Sequence, residues 1–261
     1  MCRVLAVANQ KGGVGKTALT SNLGVGLAIN GKKVLVIDAD PQSNLTSSLG
    51  IDNADELENT LGSFMEREIN EDAIDASEYI LHNDEGVDIM PCNIKLAGMD
   101  YMIMNALSRE HLIDSFVSQV RDDYDYILID CSPSLNLVTI NVLTAVDSVI
   151  IPVEASYLSM AGLQQLLSSI GSTKRKLNRK LEVEGIVINK VNTRTNHEKD
   201  IIEKLREAYG SQIRIFDVMI PESVRAKECT AHGISIYKHD PKGKVARAFE
   251  ELTREVLSYG C

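Results

Sequence analysis

Six short apolar runs punctuate the chain, at Val4–Ala8, Val34–Ile37, Val87–Met90, Tyr126–Ile129, Ser148–Pro152 and Val183–Ile188. Most are nearly continuous in Val, Ile and Leu, the pattern of strands covered on both faces, where alternation would mark a strand with one wet face. Stretches of helical spacing lie between most of them. The pattern predicts an α/β fold, a mostly parallel central sheet with helices on both faces. The first helix is predicted to begin near Thr17, to turn Leu19, Leu23 and Leu27 inward, and to stop at Asn30-Gly31, where glycine takes the left-handed conformation of a helix end. With no Pro/Ser-rich linker, internal repeat or low-complexity stretch, residues 1–261 are expected to form a single domain.

Composition adds exclusions. At 44% hydrophobic and 25% charged residues, the chain is neither disordered nor fibrous. Its five cysteines have no spacing suited to a zinc site or a disulfide framework. No apolar run approaches the ~20 residues of a membrane span, so a reduced, cytoplasmic protein is expected. The net charge of −10 is uneven: Asp52 to Asp88 holds thirteen acids against one base, Arg67, whereas residues 174–261 carry +5. The acidic stretch is expected to be a solvated helical cover, which leaves room for a basic face elsewhere.

Chemistry concentrates between the first strand and the first helix, in Gln10-Lys11-Gly12-Gly13-Val14-Gly15-Lys16-Thr17. The glycines let backbone wrap around phosphate, the following helix N-terminus points at the anion, Lys16 supplies a cation, and the Thr17 hydroxyl suits magnesium. Two acidic strand ends complete the pattern. Asp38 and Asp40 follow Val34-Leu35-Val36-Ile37, and Asp130 ends Tyr126-Ile127-Leu128-Ile129. Carboxylates at these ends face the ligand crevice of an open α/β sheet, and Asp130 suits a magnesium-bound water. The plainer alternative has Asp40-Pro41 starting a turn and Asp38 capping the next element.

In the phosphate motif Gln10 stands where GxxxxGKT has its first glycine, and the extra Lys11 follows it. This resembles the deviant Walker A motif of the ParA/MinD superfamily. The resemblance runs from residue 3 to about 257 and is closest to the ParA/Soj partition ATPases. It is carried further by Val34-Leu35-Val36-Ile37-Asp38-Ala39-Asp40-Pro41-Gln42, by Asp130-Cys131-Ser132-Pro133-Ser134-Leu135, and by the stretch Ile220 to Gly233. It implies a deviant Walker P-loop NTPase fold that hydrolyses ATP with Mg2+. Residues 11–18 (Lys11 through Thr17 and Ala18) would bind nucleotide, with Asn189 and Pro221 flanking adenine. Thr17, Asp38 and Asp130 would serve the metal, Lys16 and Asp40 catalysis, and Lys11 the partner's phosphates across an ATP-bound homodimer. The family also implies non-specific double-stranded DNA binding, here through Arg194 and Arg225 with Lys242, Lys244 and Arg247. A ParB-like centromere-binding partner and nucleoid association go with it. Ser132 replaces a proline of the family pattern, Glu222 an arginine, and Cys229-Thr230 an alanine and a proline. These departures are expected to retune DNA contact or the loop after Asp130.

Three further expectations bear on rival functions. No N-terminal helix-turn-helix precedes the first strand, and Arg3 is the one base there available to a partner. A MinD-like membrane role needs a basic amphipathic tail. This tail instead sets Glu250, Glu251 and Glu255 against Arg254, and Phe249, Leu252 and Val256 are expected to pack into the core. The other rival is a metabolic P-loop enzyme, which needs a second substrate pocket.

Overall fold

The computed structural model describes residues 2–155, 160–192 and 196–259, without the side chains of Asn196 and His197. Strands β1 (Arg3–Val7), β2 (Val34–Ala39), β3 (Leu81–His82), β4 (Asp88–Met90), β5 (Tyr126–Cys131), β6 (Ser148–Glu154), β7 (Glu182–Val191) and β8 (Ile215–Pro221) form one sheet. Its order is β3-β4-β2-β5-β1-β6-β7-β8. Among the described residues only the β3–β4 pair is antiparallel.

Side chains of the central strands alternate between two cores. Val4, Ala6, Leu35, Ile37, Ile127 and Ile129 enter one, while Leu5, Val7, Val34, Val36 and Leu128 enter the other. The second core is closed by α1 (Lys16–Ile29), α2 (Asn44–Ser48), α9 (Val224–Ala231), α10 (Ile236–His239) and α11 (Lys244–Tyr259). The first lies under α3 (Leu61–Ile69), α4 (Met99–Ile103), α5 (Leu112–Val120), α6 (Leu137–Ala145), α7 (Met160–Lys176) and α8 (Asn196–Tyr209). Both faces are thus covered, which is why the strand runs lack alternation. As expected, α1 buries Leu19, Leu23 and Leu27 and ends at Asn30.

The acidic stretch is a cover with a firm underside. Leu61, Phe64 and Met65 of α3 are buried, and Phe64 sits edge-on to Tyr79 (5.4 Å) and Phe116 (5.1 Å). On α11, Phe249, Leu252 and Val256 are buried, so its apolar face is occupied by the core. Among the described residues no helix is long and apolar enough to cross a membrane.

Arg3 corrects its expectation. Its guanidinium donates to both carboxylate oxygens of Glu184 (2.8 and 2.7 Å) and to the carbonyl of Val256 (3.2 Å). It ties β1 to β7 and α11, and so does not present a partner signal. β3 and β8 are also absent from the six predicted runs: β3 is two residues long, and β8 carries Asp217 exposed within an alternating edge strand.

Candidate nucleotide-binding site

β1 delivers the chain into the phosphate loop, and α1 carries it away. Gly13 (φ 77°) and Gly15 (φ 90°) occupy the left-handed region that favours glycine. At Gly15 a Cβ would also collide with the Asn189 amide. Gly15 caps α1 without a side-chain hydrogen bond, leaving the helix N-terminus to an anion. The loop is braced from behind: Asn9 Nδ2 donates to the Pro152 carbonyl (2.7 Å), and the Lys11 amide donates to Asn9 Oδ1 (3.0 Å).

Parallel pairing sets Asp38 of β2 beside Asp130 of β5 at the C-terminal end of the sheet. The Thr17 hydroxyl donates to Asp130 Oδ2 at 2.6 Å. Burial, reinforced by the neighbouring Asp38 charge, pushes the Asp130 carboxyl up to about 8, against the opposing pull of Thr17 and Lys16. Asp38 is pushed up to about 6 by burial, and hydrogen bonds from Thr46 limit the rise.

The two aspartates after β2 divide their work. Asp38 is fully buried and accepts from the Thr46 amide and hydroxyl (2.8 Å each) and from the Asp40 amide (3.1 Å). It caps the start of α2 and fixes the peptide entering Asp40, the plainer of the two roles considered for it. Asp40 itself lines the cleft, one carboxylate oxygen accepting from the Gln42 amide at 3.0 Å.

The phosphate loop, Thr17 and Asp40 border a cleft of about 530 Å³, a size suited to a small-molecule ligand, and Asp38 and Asp130 lie behind its lining. Gly12, Gly13, Gly15, Lys16, Thr17 and Ala18 line one side, and Asn189, Pro221 and Ser223 line another. Val14 points its side chain into the fold, 1% exposed. Lys11 lies at the loop entry, its ammonium 3.0 Å from Glu154 Oε2. Asn189 and Pro221 share the cleft, but the Asn189 amide already bonds the Val14 carbonyl (2.8 Å) and the Lys190 amide (2.9 Å). An adenine contact has one N–H and one lone pair of that side chain left to use.

Of the basic residues, Arg225 is exposed on the first turn of α9, beside the cleft residues Ser223 and Ala226. Lys242, Lys244 and Arg247 are exposed together at the start of α11, where Arg247 donates to the Lys242 carbonyl (2.8 Å). Arg194 lies outside the described residues. Sequence reasoning missed Lys190, which lines the cleft directly after Asn189; its adjacency to a predicted base contact was the one available signal.

Burying Asp130 and Asp38 with raised carboxyls has a measurable consequence. In the unfolded chain both are ionised above about pH 4, whereas the folded protein keeps protons on them until about pH 6 and 8. The folded state therefore binds more protons over this range, and stability falls as pH rises through it. In EDTA without nucleotide, the unfolding midpoint is expected to drop by roughly 10 °C between pH 5 and 8. Asp130→Asn should flatten most of that slope in a thermal melt series; an unchanged slope would rule out Asp130 as its source.

Phosphate-loop backbone, a hydroxyl–carboxylate pair and a third acidic residue at the C-terminal edge of a parallel sheet define a P-loop nucleotide-binding protein. The AAA domain family matches residues 2–183. The sporulation initiation inhibitor protein Soj of Bacillus subtilis is 38% identical over 260 residues, covering 100% of both chains. The chromosome partitioning protein ParA of Caulobacter vibrioides is 34% identical over 98% of this chain and 94% of its own. The chain belongs to the ParA/Soj family of P-loop ATPases.

Among solved structures, cobyrinic acid a,c-diamide synthase from Mycobacterium smegmatis with bound ADP and magnesium superposes with a TM-score of 0.87. It is 32% identical and covers 100% of this chain and 96% of that one. The septum site-determining protein MinD of Pyrococcus horikoshii, complexed with Mg-ADP, gives 0.75 at 25% identity, covering 100% and 98%.

Proposed function

We propose that this protein is a single-domain partition ATPase that binds ATP with magnesium, closes as a homodimer around the nucleotide, and in that state holds non-specific double-stranded DNA. Hydrolysis, stimulated by a ParB-like centromere-binding partner, returns it to a monomer that leaves DNA. The observation carrying this reading is the cleft, which gathers the phosphate loop, Thr17 and Asp40 in one place and has Asp130 within hydrogen-bond distance of Thr17.

The residues fit magnesium. A hydroxyl and a buried carboxylate 2.6 Å apart form an oxygen-donor pair, and the raised Asp38 and Asp130 carboxyls mark a place where a cation would relieve buried charge. Thr17 and Asp130 would hold the ion, with Asp38 supporting them, and its charge would neutralise the phosphates during hydrolysis. Lys16 and the loop amides bind phosphate, Asp40 orients the attacking water, and Lys11 reaches the partner's phosphates.

DNA binding rests on phosphate-directed cations doubled by a two-fold axis, Arg225 and the cluster Lys242, Lys244 and Arg247 foremost, with Arg194 proposed from sequence alone. Fluorescence anisotropy on a random duplex is expected to show binding with ATP and none with ADP, falling steeply with salt. Arg225→Glu should weaken it at least about tenfold, since two copies act per dimer. ATP-dependent dimers that ignore DNA in every condition would overturn the partition reading.

A second reading, a metabolic P-loop enzyme, draws on the mycobacterial diamide synthase at 32% identity. The same assay separates them, because that reading predicts no nucleotide-gated DNA binding. The buried apolar face of α11 speaks against the MinD-like membrane alternative.

A further inference from the structure

Two consecutive side chains at the end of β7 grip the carbonyls of the phosphate loop. Asn189 Nδ2 donates to the Val14 carbonyl at 2.8 Å, and the Lys190 ammonium donates to the Gly13 carbonyl. β7 is irregular at this point: its register with β8 shifts between Ile188 and Val191, and Lys190 itself adopts φ 55°. A bulge of this kind re-aims a side chain, and a left-handed non-glycine residue persists where its surroundings hold it. Here the strand end turns a lysine onto the loop. Its Cε lies 3.9 Å from where a Cβ of Gly15 would stand, so the stem runs beside the loop as well.

The consequence follows from peptide geometry. A trans peptide unit is planar, with C=O and N–H pointing to opposite sides. Pinning the Gly13 and Val14 carbonyls toward β7 turns the amides of Val14 and Gly15 the other way, to the face that wraps phosphate. Without the lysine, the Gly13–Val14 peptide loses a bond that fixes its carbonyl, and Gly13, with no Cβ, offers little resistance to the change in ψ by which that peptide turns.

We propose that Lys190 is a positioning residue for phosphate binding, acting through the Gly13–Val14 peptide and not through the base. This rests on the reading of the cleft as a nucleotide site and assigns a further member to it. Lys190 thereby joins the end of β7, beside Asn189, to the phosphate loop.

The test uses Lys190→Gly and Lys190→Arg in the full chain. Glycine accepts the left-handed backbone without strain, so Lys190→Gly should unfold at an equal or higher temperature than wild type. It should nevertheless bind both ATP and inorganic triphosphate about tenfold more weakly by calorimetry, the loss of one charge-assisted hydrogen bond that orders the loop. Lys190→Arg, which restores a charged donor, should recover most of that loss. A loss confined to ATP would make Lys190 a base contact, and unchanged triphosphate affinity would remove it from phosphate positioning; either overturns the proposal. Weakened binding accompanied by a lowered unfolding temperature would make the lysine merely structural and overturn it too. Wild-type protein that binds neither probe would refute the nucleotide site itself, a distinct failure.

Discussion

Asp40→Ala is expected to lower ATP turnover by about 10²- to 10⁴-fold while nucleotide remains bound, the range lost when a positioned acid–base group is removed. Asp40 is the aspartate of its pair that lines the cleft, whereas Asp38 spends its oxygens on Thr46 and the Asp40 amide. Removing the Asp40 side chain deletes a carboxylate at the ligand without touching the cap that holds α2. The fold should therefore survive, with loss of the bond to the Gln42 amide as the main structural cost. The protein should accumulate as an ATP-bound dimer on DNA, seen as a low phosphate-release rate beside retained nucleotide and a doubled mass by light scattering. Turnover within threefold of wild type would place the water-orienting group elsewhere.

The contrast with Asp38 shows where sequence reasoning stops. Two aspartates at a strand end announce a site, because carboxylates at that edge of an open sheet face the crevice. Which of them faces it depends on the next turn. Ser43 takes φ 54° and starts α2 so that the Thr46 amide and hydroxyl return to Asp38. Nothing in Asp38-Ala39-Asp40 encodes that return. The central strands were legible for the opposite reason, since β1, β2 and β5 are covered on both faces and, between Arg3 at one end and the site aspartates at the other, their residues meet the same apolar demand. β8 escaped because it is an edge strand, where Asp217 can stay exposed and the apolar run is broken.

Long-range polar ties were the least legible part. Arg3 meets Glu184, Asn9 meets Pro152 and Lys190 meets Gly13, each across more than 140 residues of chain. Such pairs depend on strand order, here β6 and β7 placed successively beside β1, and no local periodicity carries strand order. The phosphate loop was readable because its chemistry is local: glycines, lysine and threonine must be contiguous to wrap one anion.

Lys11→Ala is expected to abolish ATP-driven dimerisation while leaving the monomer's nucleotide affinity within about threefold of wild type. Lys16 and the loop amides belong to the same chain as the nucleotide they hold, so monomer binding does not need Lys11. The dimer does, because two bound triphosphates approaching across a two-fold axis repel unless a cation from each side answers the other's charge. In the single chain the Lys11 ammonium lies 3.0 Å from Glu154, both side chains partly exposed at 30% and 23%. A single ion pair that keeps partial contact with water contributes on the order of 1 kcal/mol to folding, so its loss should lower the unfolding temperature by only a few degrees. The measurement is sedimentation velocity with ATP in the Asp40→Ala background, where turnover cannot disperse the dimer. A double variant that remains monomeric beside a dimeric Asp40→Ala control ties Lys11 to association. A Lys11→Ala protein that dimerises and hydrolyses ATP normally would show that the second lysine of the loop is not what joins the two halves.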